Sequence, residues 1–148
     1  MDKVETGVRR LEYTGKSQDH AILIGNHGNV HFTARGDFEL SGSVYCPKYT
    51  MKVIVSGSGK VTLQGICKIL IVVKMDGTAT LDLTQLTCKE MRCTAVSGKT
   101  HILVGKTRML SHANVQKEAL ITLTQSDTIV GSSVMDNPQV VRQHPIAV

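Results

Sequence analysis

The side chains in this chain that could do chemistry are four cysteines, six histidines and a few serines and carboxylates set near glycines. His27 and His31, with His20 nearby, carry imidazoles that could converge on one metal ion. A site needs more, however: no periodicity forces the pair together and the spacing implies no third ligand, so they read as surface-turn histidines and no metal is expected. Cys88 and Cys93 flank a turn with four residues between them. Without a second cluster they match neither a zinc knuckle nor a CxxC redox pair, and buried packing is the expectation. Ser58 sits between Gly57 and Gly59 but lacks the strand-to-helix elbow and the base that a nucleophilic serine requires. It reads as a turn residue.

Carbohydrate cleavage would need two carboxylates facing each other across a cleft. Asp76 and Asp82 fall within one repeat unit, Asp37 and Glu39 lie two units earlier, and no acidic column emerges. With two Phe, three Tyr and no Trp there is also little to stack on sugar rings. No catalytic residue and no cofactor is therefore expected.

The elements that hold these residues come from a repeat. A five-residue pattern recurs as Gly36-Asp-Phe-Glu-Leu40, Gly59-Lys-Val-Thr-Leu63, Gly77-Thr-Ala-Thr-Leu81 and Gly98-Lys-Thr-His-Ile102, followed by Ala119-Leu-Ile-Thr-Leu123. Their starts are separated by 23, 18, 21 and 21 residues. In each copy the third and fifth positions are apolar or small and the fourth is polar, which places one set of side chains inside and the other outside a strand. Thr62, Thr80, His101 and Thr122 are expected to form an outward ladder.

Second strand-like segments lie between the copies: Met51 to Val55, Ile69 to Val73, Met91 to Ala95 and Met109 to Val115. In the second of these, Ile69, Ile71 and Val73 face the same way as each other while Leu70 and Val72 face the opposite way. That strand is apolar on both faces, and an uncovered outer side would be a contact site. Cys46, Cys67 and Cys88 follow one another at intervals of 21 residues, with Met109 next in the series. Stacked at about 4.8 Å per rung, they read as a buried column.

The expected fold is thus all-β: a single-stranded parallel β-helix, or β-solenoid, of about five rungs of 18–23 residues each. Its 148 residues suit one domain, divided into an N-terminal cap (1–20), rungs (21–131) and a C-terminal tail (132–148). The net charge of +5 is carried by lysines and arginines scattered singly, apart from Arg9 and Arg10, so no nucleic-acid partner is expected. The first twenty residues show no apolar stretch of a leader, and no segment is apolar enough to span a bilayer. On that ground the chain as written reads as cytoplasmic; a chain trimmed of an export signal would instead belong at the cell surface or outside it.

The run Val53-Ile-Val-Ser-Gly-Ser-Gly-Lys-Val-Thr-Leu63 resembles the signature of the auto-transporter adhesin family, also called the head GIN domain family. Ser97-Gly-Lys-Thr-His-Ile102 looks like a worn copy, and the similarity covers Gly28 to about Leu123. The resemblance implies a parallel β-helix of mostly exported, surface-associated bacterial proteins with no established chemistry. In general plan the chain is also similar to the bactofilins, cytosolic β-helices that polymerise end to end. The expectation is a noncatalytic structural or interaction protein. It would form a homo-oligomer through a solenoid face built on Ile69, Ile71, Val73, Thr62, Thr80, His101 and Thr122, with a macromolecular or glycan partner. The alternatives are a carbohydrate-binding or carbohydrate-active β-helix and a cytoskeletal polymer.

Overall fold

The computed structural model describes residues 10–132, 134 and 137–142. Its strands are β1 (Arg10–Tyr13), β2 (Lys16–Ile24), β3 (Val30–Gly77), β4 (Thr80–Val96), β5 (His101–Val115), β6 (Leu120–Leu123), β7 (Ile129–Val130) and β8 (Val140–Arg142). Every pairing between different strands is parallel, in the order β1-β3-β4-β5-β6-β8, with β2 also on β3 and β7 on β5. At 48 residues, β3 is longer than two rungs and winds upon itself. The whole is an all-β parallel solenoid of about six turns.

The winding begins earlier and ends later than the 21–131 span read from the repeat. Residues 10–13 and 16–20, expected within a cap, are strands in register with 31–34 and 37–41. At the other end Val140–Arg142 pairs with Ile121–Leu123. Neither stretch carries the five-residue pattern, so the pattern marks fewer rungs than the backbone makes. The remainder of the expected cap (1–9) and residues 143–148 of the expected tail lie outside the described residues.

One corner keeps the rungs in phase. Gly15, Gly36, Gly57, Gly77 and Gly98 all have positive φ, from 73° to 129°. They stack directly: a Cβ added to Gly57 would meet the Gly36 carbonyl oxygen at 2.0 Å, and one added to Gly77 would meet that of Gly57 at 2.2 Å. At Gly57 both the φ of 129° and the lack of space require glycine.

This corner corrects the alignment of the repeat at two copies. Gly57, not Gly59, is the partner of Gly36, and Gly59 instead lies on Phe38. Val61, not Leu63, therefore precedes Leu81, while Ile102 is followed by Ile121 and not Leu123. Both slips amount to two residues. A shift of two preserves the inward and outward faces of a strand, which is why the burial pattern survives them.

The interior is a stack of aliphatic columns. Val61, Leu81, Ile102 and Ile121 form one, and Leu83, Val104 and Leu123 form another, all at 2% exposure or less. Met51, Leu70, Met75 and Met91 fill the wider parts between corners. Each such side chain stabilises the coil by about 1.5–3 kcal/mol on burial. Where two successive residues face solvent, as at Lys89 and Glu90 between buried Cys88 and Met91, the alternation breaks and the chain bends.

Candidate functional site

The cysteine column is real but ends differently from the expectation. All four cysteines are free and buried. Cys67 lies on Cys88, and the next residue in the column is Thr107, not Met109, which pairs with Glu90 and is exposed. The cause is a shortcut in β5. Leu83 matches Val104 while Thr87 matches Lys106, so Gly105 alone spans what Thr84, Gln85 and Leu86 span one rung earlier. A Cβ on Gly105 would lie 2.1 Å from the Leu83 carbonyl oxygen, so this shortened corner has no room for a side chain.

Within the column the sulfurs differ. The Cys67 thiol donates to the Cys88 sulfur, and that bond, with burial, pushes the Cys67 thiol far up. As the acceptor, Cys88 is drawn below the ordinary thiol range by the bond from Cys67, against burial and with help from the Thr107 hydroxyl 3.3 Å away. Burial raises Cys46 and pushes Cys93 up to about 12. Cys88 is thus the thiol closest to reactivity, yet it is only 5% exposed.

Outside this column runs a groove of about 500 Å³, crossing the rungs rather than following them. Cys67, Cys88 and Thr107 lie at its floor, Pro47, Ile66 and Ile129 add apolar surface, and Lys89, Lys106 and Arg108 stand around it with Thr87 and Asp127. Its walls are outward columns. Gly65 sits on Val44, so Ile66 follows Tyr45, and Thr87 and Lys106 come next. The other wall is Lys89 and Arg108, which follow Lys68 in one outward column, carried between the matched pairs on either side of each.

Most of the described lysines and arginines form no ion pair with a described residue. Ion pairs within 4 Å join Arg35 to Glu12, Lys60 to Asp82, Lys74 to Asp76 and Arg92 to Glu90. Lys68, Lys89, Lys106 and Arg108 are exposed, and none of them forms an ion pair with a described residue. Like charges directly opposite one another on neighbouring strands oppose pairing. The fold tolerates that opposition along this wall.

The residues expected to form an outward face all point outward, half-buried, but in two columns. Thr62, Asp82, Leu103 and Thr122 make one, and Lys60, Thr80, His101 and Leu120 the other. His101 bridges them through a 2.8 Å hydrogen bond between its Nε2 and Thr122 Oγ1. Ile69 and Ile71 are half-buried, and the following rung sets Glu90 and Arg92 against them. Val73 is half-buried beside exposed Lys74. The apolar strip is therefore bounded by charge on its next rung.

His27 lies on the exposed bend after β2, whereas His31 is on β3 in register with Arg10. Among the described residues no group of three or more His, Cys, Asp or Glu side chains is placed to hold a metal ion. No helix among them is long and apolar enough to cross a membrane. His20 instead hydrogen-bonds Ser41 at 2.6 Å.

The Ser-Gly-Ser-Gly run has a local role at the glycine corner. Ser58 Oγ donates to Asp37 on the rung before at 3.3 Å, and Ser56 Oγ donates to Asp76 on the rung after at 2.5 Å. The groove residues, by contrast, carry no motif, since they come in runs of one to three from segments spread between Pro47 and Ile129. Writing the lysines and arginines in the frame of the cysteines aligns Lys68 with Lys89 but leads next to Leu110, since only the Gly105 shortcut brings Arg108 into that column. No protein-family model matches the chain, and neither the curated proteins nor the solved structures include a match to it.

Proposed function

We propose that this protein is a noncatalytic interaction module, a stiff parallel coil whose groove faces an anionic macromolecule. The observation that carries the reading is the gathering of Lys89, Lys106 and Arg108 around one groove, none of them in an ion pair with a described residue. Asp127 is the one carboxylate among the lining residues, so the groove lacks the paired acids that hydrolytic chemistry on sugars requires. Steering by such a field favours rapid, salt-sensitive association.

Self-association through Ile69, Ile71 and Val73 is less well supported, because Glu90 and Arg92 bound the strip and would have to be desolvated with it. The adhesin-like and bactofilin-like readings rest on resemblance and on the β-solenoid architecture alone. Retention on a polyanionic matrix tests the groove. Lys89→Glu combined with Arg108→Glu should abolish retention at moderate salt, whereas Lys99→Glu at the glycine corner should leave it unchanged. Equal loss in both variants would reduce the effect to net charge and remove the groove from the account.

A further inference from the structure

The sulfur column under the groove pairs two of its members and leaves the third aside. Cys67 and Cys88 are partners in register on neighbouring strands. Their Cα atoms therefore stand at about the 4.8 Å strand spacing, inside the roughly 4.4–6.8 Å that a disulfide bridges. Both lie at the groove floor, and the Cys67 thiol is aimed at the Cys88 sulfur. Cys46 turns the other way: its sulfur leans over Gly25 on the rung before, where an added Cβ would meet it at 2.6 Å. Cys93 is wholly buried and does not line the groove.

Of the pair, Cys88 is the one placed to react. It keeps 5% of its surface open, against 1% for Cys67. The Thr107 hydroxyl stands 3.3 Å from its sulfur on the following rung, and Lys89, Lys106 and Arg108 surround the groove above it. Hydrogen bonds and nearby cations favour a thiolate, in keeping with the downward pull on this thiol. So narrow an opening selects a small oxidant. Hydrogen peroxide, uncharged and with two heavy atoms, fits the approach to the Cys88 sulfur, whereas a bulky disulfide would have to bring its own sulfur down to a nearly covered floor.

We infer that Cys88 is a site of oxidation by hydrogen peroxide and that Cys67, on the preceding rung, resolves it into a disulfide joining the two rungs. In the first step the Cys88 sulfur attacks one peroxide oxygen: an S–O bond forms, the O–O bond breaks, and the departing hydroxide takes up the proton that Cys88 gave up, leaving as water. The product is a sulfenic acid on Cys88. In the second step the Cys67 sulfur attacks the Cys88 sulfur, the S–S bond forms as the S–O bond breaks, and the hydroxide leaves as a second water with the Cys67 proton. Two thiols are oxidised to one disulfide and one peroxide is reduced to two waters. The bridge closes the chain between residues 67 and 88 and so constrains the unfolded state. Nothing in this step depends on what partner the groove cations meet.

The experiment exposes the reduced, folded full chain to graded hydrogen peroxide, then alkylates the remaining thiols in denaturant and maps the peptides by mass spectrometry. The chain should lose the mass of two hydrogens, and a linked peptide should join Cys67 to Cys88 while Cys46 and Cys93 stay alkylated. Cys88 should oxidise at least about tenfold faster than Cys93. In Cys67→Ser the sulfenic acid should persist on Cys88 and be captured by dimedone, and in Cys88→Ser thiol loss should slow by about tenfold or more. The unfolding midpoint of the oxidised wild-type chain should rise and return on reduction. The wild-type peptide map decides the matter even where a serine variant fails to fold. A Cys46–Cys67 link, a Cys88 no faster than Cys93, or oxidation that appears only in denaturant each overturns the assignment.

Discussion

At the glycine corner, Ser56 and Ser58 donate to Asp76 and Asp37, and Lys74 pairs with Asp76. Around the groove, Lys89, Lys106 and Arg108 crowd a half-apolar channel, and none of them forms an ion pair with a described residue. The two regions belong to the same coil and are built on the same rung spacing. What differs is the backbone: rungs meet at the corner with no side chain between them, so the polar groups flanking it close upon one another. At the groove, outward columns stand apart with a sunken floor between them, and their charged ends are left to solvent or to a ligand. The polar groups flanking the corner are thus held within the fold, whereas the groove gathers cations that form no ion pair with a described residue, as Lys16, Lys48, Lys52, Lys99 and Lys117 do singly elsewhere.

The largest expected effect falls on the corner. Gly57→Val must place a Cβ where the Gly36 carbonyl lies, at a φ of 129°, and should cost more than about 4 kcal/mol or prevent folding. Gly15→Ala, with nothing within 4 Å of its added Cβ, should cost only about 1 kcal/mol from backbone strain. Denaturant titration of the pair measures the contrast. Similar losses in both would mean that the close approach of the backbones is not what constrains the corner.

A smaller effect is expected in acid. Burial alone would raise the Asp82 carboxyl, but hydrogen bonds from the Thr84 hydroxyl and amide and the nearby Lys60 ammonium outweigh it and hold it below the usual range. Arg92, and then Ser111, hold Glu90 low in the same way. A carboxylate depressed in the folded state stabilises the fold above its unfolded pKa, and the contribution is lost as pH falls through the folded value. Asp82→Asn should therefore lower the unfolding free energy from urea titration near neutral pH by about 1 kcal/mol or less and flatten part of its acid decline. A midpoint profile that keeps its full acid slope would show that Asp82 contributes nothing.

The smallest stability effect belongs to the groove. Lys89→Glu with Arg108→Glu should change unfolding free energy by no more than about 0.5 kcal/mol, since neither cation forms an ion pair with a described residue. A loss of several kcal/mol would erase the distinction between the two regions.

Much of the architecture was legible in the residues. Alternation in Val61-Thr-Leu63 and Thr80-Leu-Asp82 announces strands with one buried face, and the even spacing of Cys46, Cys67 and Cys88 announces stacking. The two-residue misalignments at Gly59 and Ala119 were not legible from hydrophobicity, because either register buries the same kinds of side chain. Met109 was assigned to the cysteine column because a constant period cannot foresee the Gly105 shortcut. The groove was hidden for a related reason: its cations are neighbours only across rungs, and its concavity depends on where the chain bends.

The glycine stack has a further consequence for how the coil finds its frame. A rung displaced by a pair of residues would still hide its aliphatic side chains, so oil-like collapse cannot tell correct winding from that error. A corner admitting bare backbone alone rejects it at most layers, since displacement would drive a side chain such as Phe38, Met75 or Val96 into the carbonyl of the layer beneath; a forward slip at Gly57, which brings Gly59, is the exception. The glycines therefore act as index marks that set the correct winding apart from most displaced ones.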